Sequence, residues 1–129
     1  MENIKDFLSA GGDAQTEFLY FLHRRDGLIS GKELTGIAID YAPMIADAEE
    51  RMDRCLGQLD MVNAVISAVP DPLYRTILTL RYIHRQDWKA IRGELSKQGV
   101  PYSLRNVYCL HDKALAAAEA VWKERHNDG

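Results

Sequence analysis

Apolar residues recur along this chain at steps of three and four almost throughout, and short alternating runs rich in β-branched residues are nearly absent. The pattern predicts an all-α protein. Ile4 to Leu8 reads as a short helix stopped by Gly11-Gly12, and Asp13 stands where it can cap a second helix carrying Phe18, Leu19, Phe21 and Leu22 up to Gly27. Ser30-Gly31-Lys32-Glu33 has the spacing of a capping box, with Ser30 accepting from the Glu33 amide and the Glu33 side chain reaching back. A third short helix through Leu34, Ile37, Ala38 and Tyr41 is expected to follow.

From Pro43 to Val69 the pattern sharpens. Ile45, Ala48, Met52, Cys55, Leu59, Val62, Ile66 and Val69 alternate steps of three and four, which is a heptad seam on one long helix. Charged residues lie off the seam, and Asp47/Arg51 and Glu50/Arg54 stand at i,i+4 with the acid first, the favourable order. Such a seam needs a partner. Residues 14–25 can supply it as an antiparallel hairpin within the chain, or a second copy can supply it, giving a homodimer through residues 45–69.

Pro70-Asp71-Pro72 ends this helix, because neither proline fits a helix interior, while Asp71 is a good N-cap and Pro72 suits a first helical position. Three helices are predicted beyond it: Pro72 to about Ile83, Asp87 to about Gln98, and Ser103 to about Lys123. Asp87 and Ser103 serve as N-caps, Gly99 ends the middle helix, and Pro101 blocks its continuation. Leu73, Ile77, Leu80, Trp88, Ile91, Leu95, Val107, Leu110, Ala114 and Leu115 are placed to close a small trihelical core. Two short helices and a turn, the second helix longer and flanked by basic residues, follow the layout of a helix-turn-helix DNA reader.

Charge changes the picture most. The chain has 129 residues and a formal net charge of −3, which alone argues against nucleic acid as a partner. Residues 1–72, however, hold 6 basic and 13 acidic side chains, and residues 73–129 hold 10 and 6. An acidic helical arm over residues 1–69 is thus expected to precede a basic module over residues 70–129. The arm's acidity limits indiscriminate binding to nucleic acid and offers a surface to a protein partner. Length allows one domain, or a small domain with an arm, and leaves no room for a doubly wound cofactor fold or a barrel.

Chemistry for catalysis is not apparent. No phosphate-cradling glycine loop or nucleophile elbow can be read. His23, His84, His111 and His126 are too scattered to bind a metal with Cys55 and Cys109, and those cysteines show no disulfide framework. Asp47, Glu49, Glu50 and Asp53 spread round their helix as a solvated face. The expectation is a non-enzymatic protein without cofactor or metal. No apolar run is long enough for a membrane span, and the first residues do not read as a signal peptide, so a cytoplasmic protein is expected.

Three segments, in order, carry a family likeness: Ile77-Leu78-Thr79-Leu80-Arg81-Tyr82-Ile83, Trp88-Lys89-Ala90-Ile91, and Ser103-Leu104-Arg105-Asn106-Val107-Tyr108-Cys109-Leu110-His111-Asp112-Lys113-Ala114-Leu115. Together they resemble region four of bacterial sigma factors, and more closely the sigma-region-four-like regulators of phages and prophages of the ArpU and RinA type. The resemblance covers about residues 40–118. It implies a recognition helix over about 103–123 and a role in transcription of phage or prophage genes in a bacterial host. The chain departs from the pattern in a longer stretch between Leu95 and Val107, and in Leu104 and Cys109, which are not the Arg and Gln types that read base edges.

A recognition helix that buries Val107, Leu110, Ala114 and Leu115 should expose Leu104, Arg105, Tyr108, Cys109 and Asp112. Arg105 is the first candidate for a base contact and Tyr108 the second. Asn106, Lys113, Arg85, Lys89, Arg92 and Lys97 are candidates for phosphates, and Ser103 for both cap and backbone contact. His111 is expected to be structural, Trp88 to lie in the core, and Arg81 to pair with an acid such as Glu94. The leading expectation is a sequence-specific regulator that binds double-stranded DNA, with the arm dimerising or meeting RNA polymerase. The alternatives are a packaging component like a small terminase subunit, and a module that contacts RNA polymerase without binding DNA.

Overall fold

Gly11 and Gly12 do not stop a helix; they let one pack closely. In the computed structural model, which describes residues 3–35, 40–97, 99 and 101–127, a single helix α1 spans Ile4–Thr35. Asn3 caps it, its side-chain oxygen accepting from the Asp6 amide at 2.9 Å. Two mid-helix glycines cost about 1 kcal/mol each relative to alanine, and tertiary packing offsets this. A Cβ on Gly11 would stand 2.8 Å from Val62, and one on Gly12 would stand 2.2 Å from the Tyr82 carbonyl oxygen. Asp13 and Ser30 therefore sit inside α1 and cap nothing, so the expected capping box does not form. The Glu33 side chain and residues Ile37 and Ala38 of the expected third helix lie outside the described residues.

Helix α2, Ala42–Ala68, runs antiparallel to α1. Gly11 faces Val62, Glu17 accepts from the Cys55 thiol at 3.7 Å, and the Arg51 guanidinium lies 5.4 Å from the centre of the Phe21 ring. The seam residues Ala48, Met52, Cys55, Val62, Ile66 and Val69 are buried, and Ile45 and Leu59 are half-buried. The partner of the seam is thus α1 of the same chain. A homodimer through residues 45–69 would have to displace it. The two expected surface ion pairs form, Arg51 with Asp47 at 3.1 Å and Arg54 with Glu50 at 2.6 Å.

After the proline break, α3 (Pro72–Leu78) is capped by Asp71, which accepts from the Leu73 amide at 2.9 Å. Arg75 fastens the corner, donating from Nη1 to the carbonyls of Val69 at 2.6 Å and Pro70 at 2.9 Å. The helix then widens into a π-helical turn, Thr79–Ile83, closed by the His84 amide on the Thr79 carbonyl at 3.0 Å. Arg85 follows with a φ of 55°, a left-handed conformation uncommon for a residue with a side chain. Helix α4 (Trp88–Ser96) is capped by Asp87 on the Ala90 amide at 2.8 Å. Gly99, at φ 96°, turns the chain beyond it. Helix α5 (Leu104–Asn127) is capped by Ser103 on the Asn106 amide at 3.1 Å, and runs past the expected end near Lys123.

The apolar residues form two clusters rather than an arm core and a module core. Ile77, Ile91, Leu95 and Val107 make one, with Leu73, Leu80, Trp88, Tyr102 and Leu110 packed around them. The other joins both sides of the proline break: Ile4, Phe7 and Leu8 of α1 and Val62, Val65, Ile66 and Val69 meet Leu78, Tyr82, Ala114, Leu115 and Ala118. Phe7 stacks on Trp122, ring centres 5.1 Å apart. Ala114 and Leu115, expected in the trihelical core, instead hold the arm. The expected arm and module are therefore distinct in charge but share a core.

Candidate nucleic-acid interface and the pocket behind it

The burial of α5 decides which of its side chains face water. Val107, His111, Ala114, Leu115 and Ala118 turn inward, which leaves Arg105, Asn106, Tyr108, Cys109, Asp112 and Lys113 exposed on the other side. Leu104, expected to be fully outward, is half-buried. Ser103 is exposed, its hydroxyl engaged as the cap. On α4, Ile91 and Leu95 point into the cluster around Ile77 and Val107 while Lys89 and Arg92 face solvent. The two helices meet at the edge-to-face contact of Trp88 with Tyr108, ring centres 5.2 Å apart.

Among the candidate phosphate ligands the structure separates free cations from occupied ones. Lys89, Arg92, Arg105 and Lys113 form no ion pair among the described residues. Lys97 is paired with Glu94 at 2.9 Å, a solvent-exposed i,i+3 bridge of the kind that contributes little. Arg85 turns away from this face to bind Asp13 of α1. Arg81 does not meet Glu94. Its guanidinium lies over the Trp88 ring, 4.3 Å from the centre, and donates to the Gln86 carbonyl at 3.1 Å.

His111 is structural, as its place on the inner face requires. Its Nε2 is 2.8 Å from the Tyr82 hydroxyl, and its ring lies edge to face with Trp88 at 4.7 Å. Burial lowers the imidazole pKa below its ordinary value; Asp112 opposes the shift, and Lys5 and Arg81 reinforce it. A neutral ring with the proton on Nδ1, towards Asp112, leaves Nε2 to accept from Tyr82. Burial likewise raises the Tyr82 hydroxyl and, with Glu17 adding to it, the Cys55 thiol.

Behind Trp88 lies a feature that the linear sequence does not reveal, a pocket of about 540 Å³ between the start of α1, the π-helical turn and α5. Lys5, Arg81 and Arg85 supply its positive charges and Asp13 its carboxylate, and Ser9, Tyr82, Trp88 and His111 complete the lining. Its only early signal is that Lys5, Ser9 and Asp13 share one face of a helix at i,i+4 spacing. The residues that complete the lining lie far along the chain, Arg85 being 72 positions from Asp13.

Among the described residues, no group of three or more His, Cys, Asp or Glu side chains is placed to hold a metal, and no helix is long and apolar enough to cross a membrane. Cys55 is buried, Cys109 exposed, and both are free thiols. The chain matches no protein-family model, no curated protein and no solved structure in comparisons with all three.

Proposed function

We propose that this protein is a sequence-specific regulator of transcription that binds double-stranded DNA. The observation that carries the reading is the outward face of α5, where Arg105, Asn106, Tyr108 and Lys113 stand exposed beside the unpaired Lys89 and Arg92 of α4. In this reading the first turns of α5 lie in the major groove, Arg105 donates to a base edge, and Tyr108 and Cys109 make apolar contacts. Ser103, Asn106, Lys113, Lys89 and Arg92 meet phosphates. Leu104 supports the helix start. Lys97 contributes only where DNA draws it from Glu94.

The likeness to sigma-region-four-like regulators of phages and prophages favours transcription as the process. The acidic side of the α1–α2 hairpin, with Glu49 and Asp53 exposed, is then the surface offered to RNA polymerase. No catalytic step is involved.

Selection from random duplex DNA, followed by affinity against salt for the enriched site, tests the reading. Arg105→Ala should weaken the selected site by on the order of tenfold or more and relax preference at one base pair. Lys89→Ala or Arg92→Ala should weaken all duplexes alike and lower the slope of log affinity against log salt by about one. No enrichment, together with indifference to Arg105→Ala, would exclude sequence-specific binding.

A further inference from the structure

The pocket behind Trp88 has a composition that calls for an anion. Lys5, Arg81 and Arg85 line it against the single carboxylate of Asp13, so the pocket carries excess positive charge. Lys5 has no hydrogen-bond or ion-pair partner among the described residues. Arg81 rests on the Trp88 face and one backbone carbonyl, neither of which neutralises it. Arg85 is held by Asp13 through one arm of its guanidinium and keeps further N–H groups. The Ser9 hydroxyl adds a neutral polar group to the lining, and the half-buried Trp88 supplies its accessible apolar surface, Tyr82 being buried against His111.

Size narrows the ligand. About 540 Å³ is far more than an inorganic phosphate fills and lies within the range of small-molecule sites. Two backbone features border the pocket. Gly12 lets α1 approach the Tyr82 carbonyl, and the left-handed Arg85 turns its side chain back towards α1 instead of outward.

We propose that this pocket binds a small phosphomonoester with a flat organic body, of the size of a nucleoside monophosphate. The phosphoryl group lies among Lys5, Arg81 and Arg85, and the body lies beside Trp88, on the surface that the Arg81 guanidinium leaves open. The phosphoryl group takes the place of the Asp13 carboxylate on Arg85, so Asp13 competes with the ligand. The site bridges α1 and the start of α4, and Trp88 of its lining touches Tyr108 on the face assigned to DNA. Occupancy therefore has a direct contact through which to alter that face, although the site itself stands independently of DNA binding.

Calorimetric titration of the 129-residue chain with AMP, inorganic phosphate and adenosine tests the proposal without DNA. AMP should bind, phosphate more weakly, and adenosine hardly at all. Lys5→Ala should weaken AMP by about tenfold and Asp13→Asn should strengthen it, in variants whose circular dichroism remains that of the parent. AMP should also raise the His111 pKa in an NMR titration, because an anion offsets the effect of Lys5 and Arg81 on an imidazole flanked otherwise by Tyr82 and Asp112. A phosphate of the DNA backbone presents related chemistry. If Lys5→Ala weakens duplex binding while AMP does not bind the free protein, the small-molecule site is overturned, as it is by AMP binding indifferent to both variants.

Discussion

The two apolar clusters differ in where their residues come from. The smaller joins α3, α4 and the start of α5 through Ile77, Ile91, Leu95 and Val107, all within a span of the chain that carries its own caps at Asp71, Asp87 and Ser103. The larger is built from segments that are far apart in the chain, with Ile4 at one end and Ala118 at the other. Neighbouring residues of α3 divide between them, Ile77 to the first and Leu78 to the second. A charge boundary at Pro70 is therefore not a packing boundary. The basic half of the chain depends on the acidic half to cover Leu78, Tyr82, Ala114 and Leu115, and a nucleic-acid face on α4 and α5 would be oriented by a hairpin that need not touch DNA.

The most drastic way to break this comparison is to cut it. A chain beginning at Pro70 keeps every residue of the smaller cluster but exposes the inner faces of Leu78, Ala114, Leu115 and Ala118. It should lose cooperative thermal unfolding, followed by circular dichroism; a sharp transition would mean that the smaller cluster folds alone. A finer cut uses two glycines. Gly12→Ala places a methyl against the Tyr82 carbonyl and should destabilise by about 1–3 kcal/mol. Gly93→Ala, on the open side of α4 with nothing within 4 Å, should stabilise by about 0.5–1 kcal/mol in denaturant titrations. Equal effects would dissolve the distinction between junction and surface.

The smallest effect concerns pH. Folding lowers the His111 pKa below the value of about 6.5 that holds in the unfolded chain. The unfolded state then binds the proton more readily. Stability from this source is full above about pH 6.5 and declines as pH falls through that value towards the folded pKa. His111→Gln, which retains a hydrogen-bonding group for Tyr82, should flatten the stability profile between pH 7 and 5, as read by unfolding midpoints.

Much of the local structure was readable in advance because it depends on neighbours in the chain. The caps at Asp71, Asp87 and Ser103, the break at Pro70 and Pro72, the i,i+4 pairs and the buried seam of α2 each follow from a few adjacent residues. The exposure of Arg105, Asn106, Tyr108, Cys109 and Lys113 was readable too, since burying Val107 and Ala114 turns the opposite face outward. Misreadings cluster where distant groups intervene. Glycine at positions 11 and 12 signals a helix end by propensity, yet it answers here to Val62 and Tyr82. Arg81 looks for a carboxylate and finds the Trp88 ring, and Arg85 looks like a phosphate ligand and is taken by Asp13.

By itself, then, the sequence determined an all-helical chain, the positions of most helix starts, the inward stripe of α2 and the split of charge, because periodicity, capping and net charge are local properties. Only the tertiary structure decided that α1 is one helix, that it rather than a second chain covers the seam, and that both halves share a core. It also assembled the cationic pocket. The physical reason is the same in each case: close approach of backbones and the pairing of charges across 72 positions depend on which surfaces meet, and no local pattern encodes that meeting.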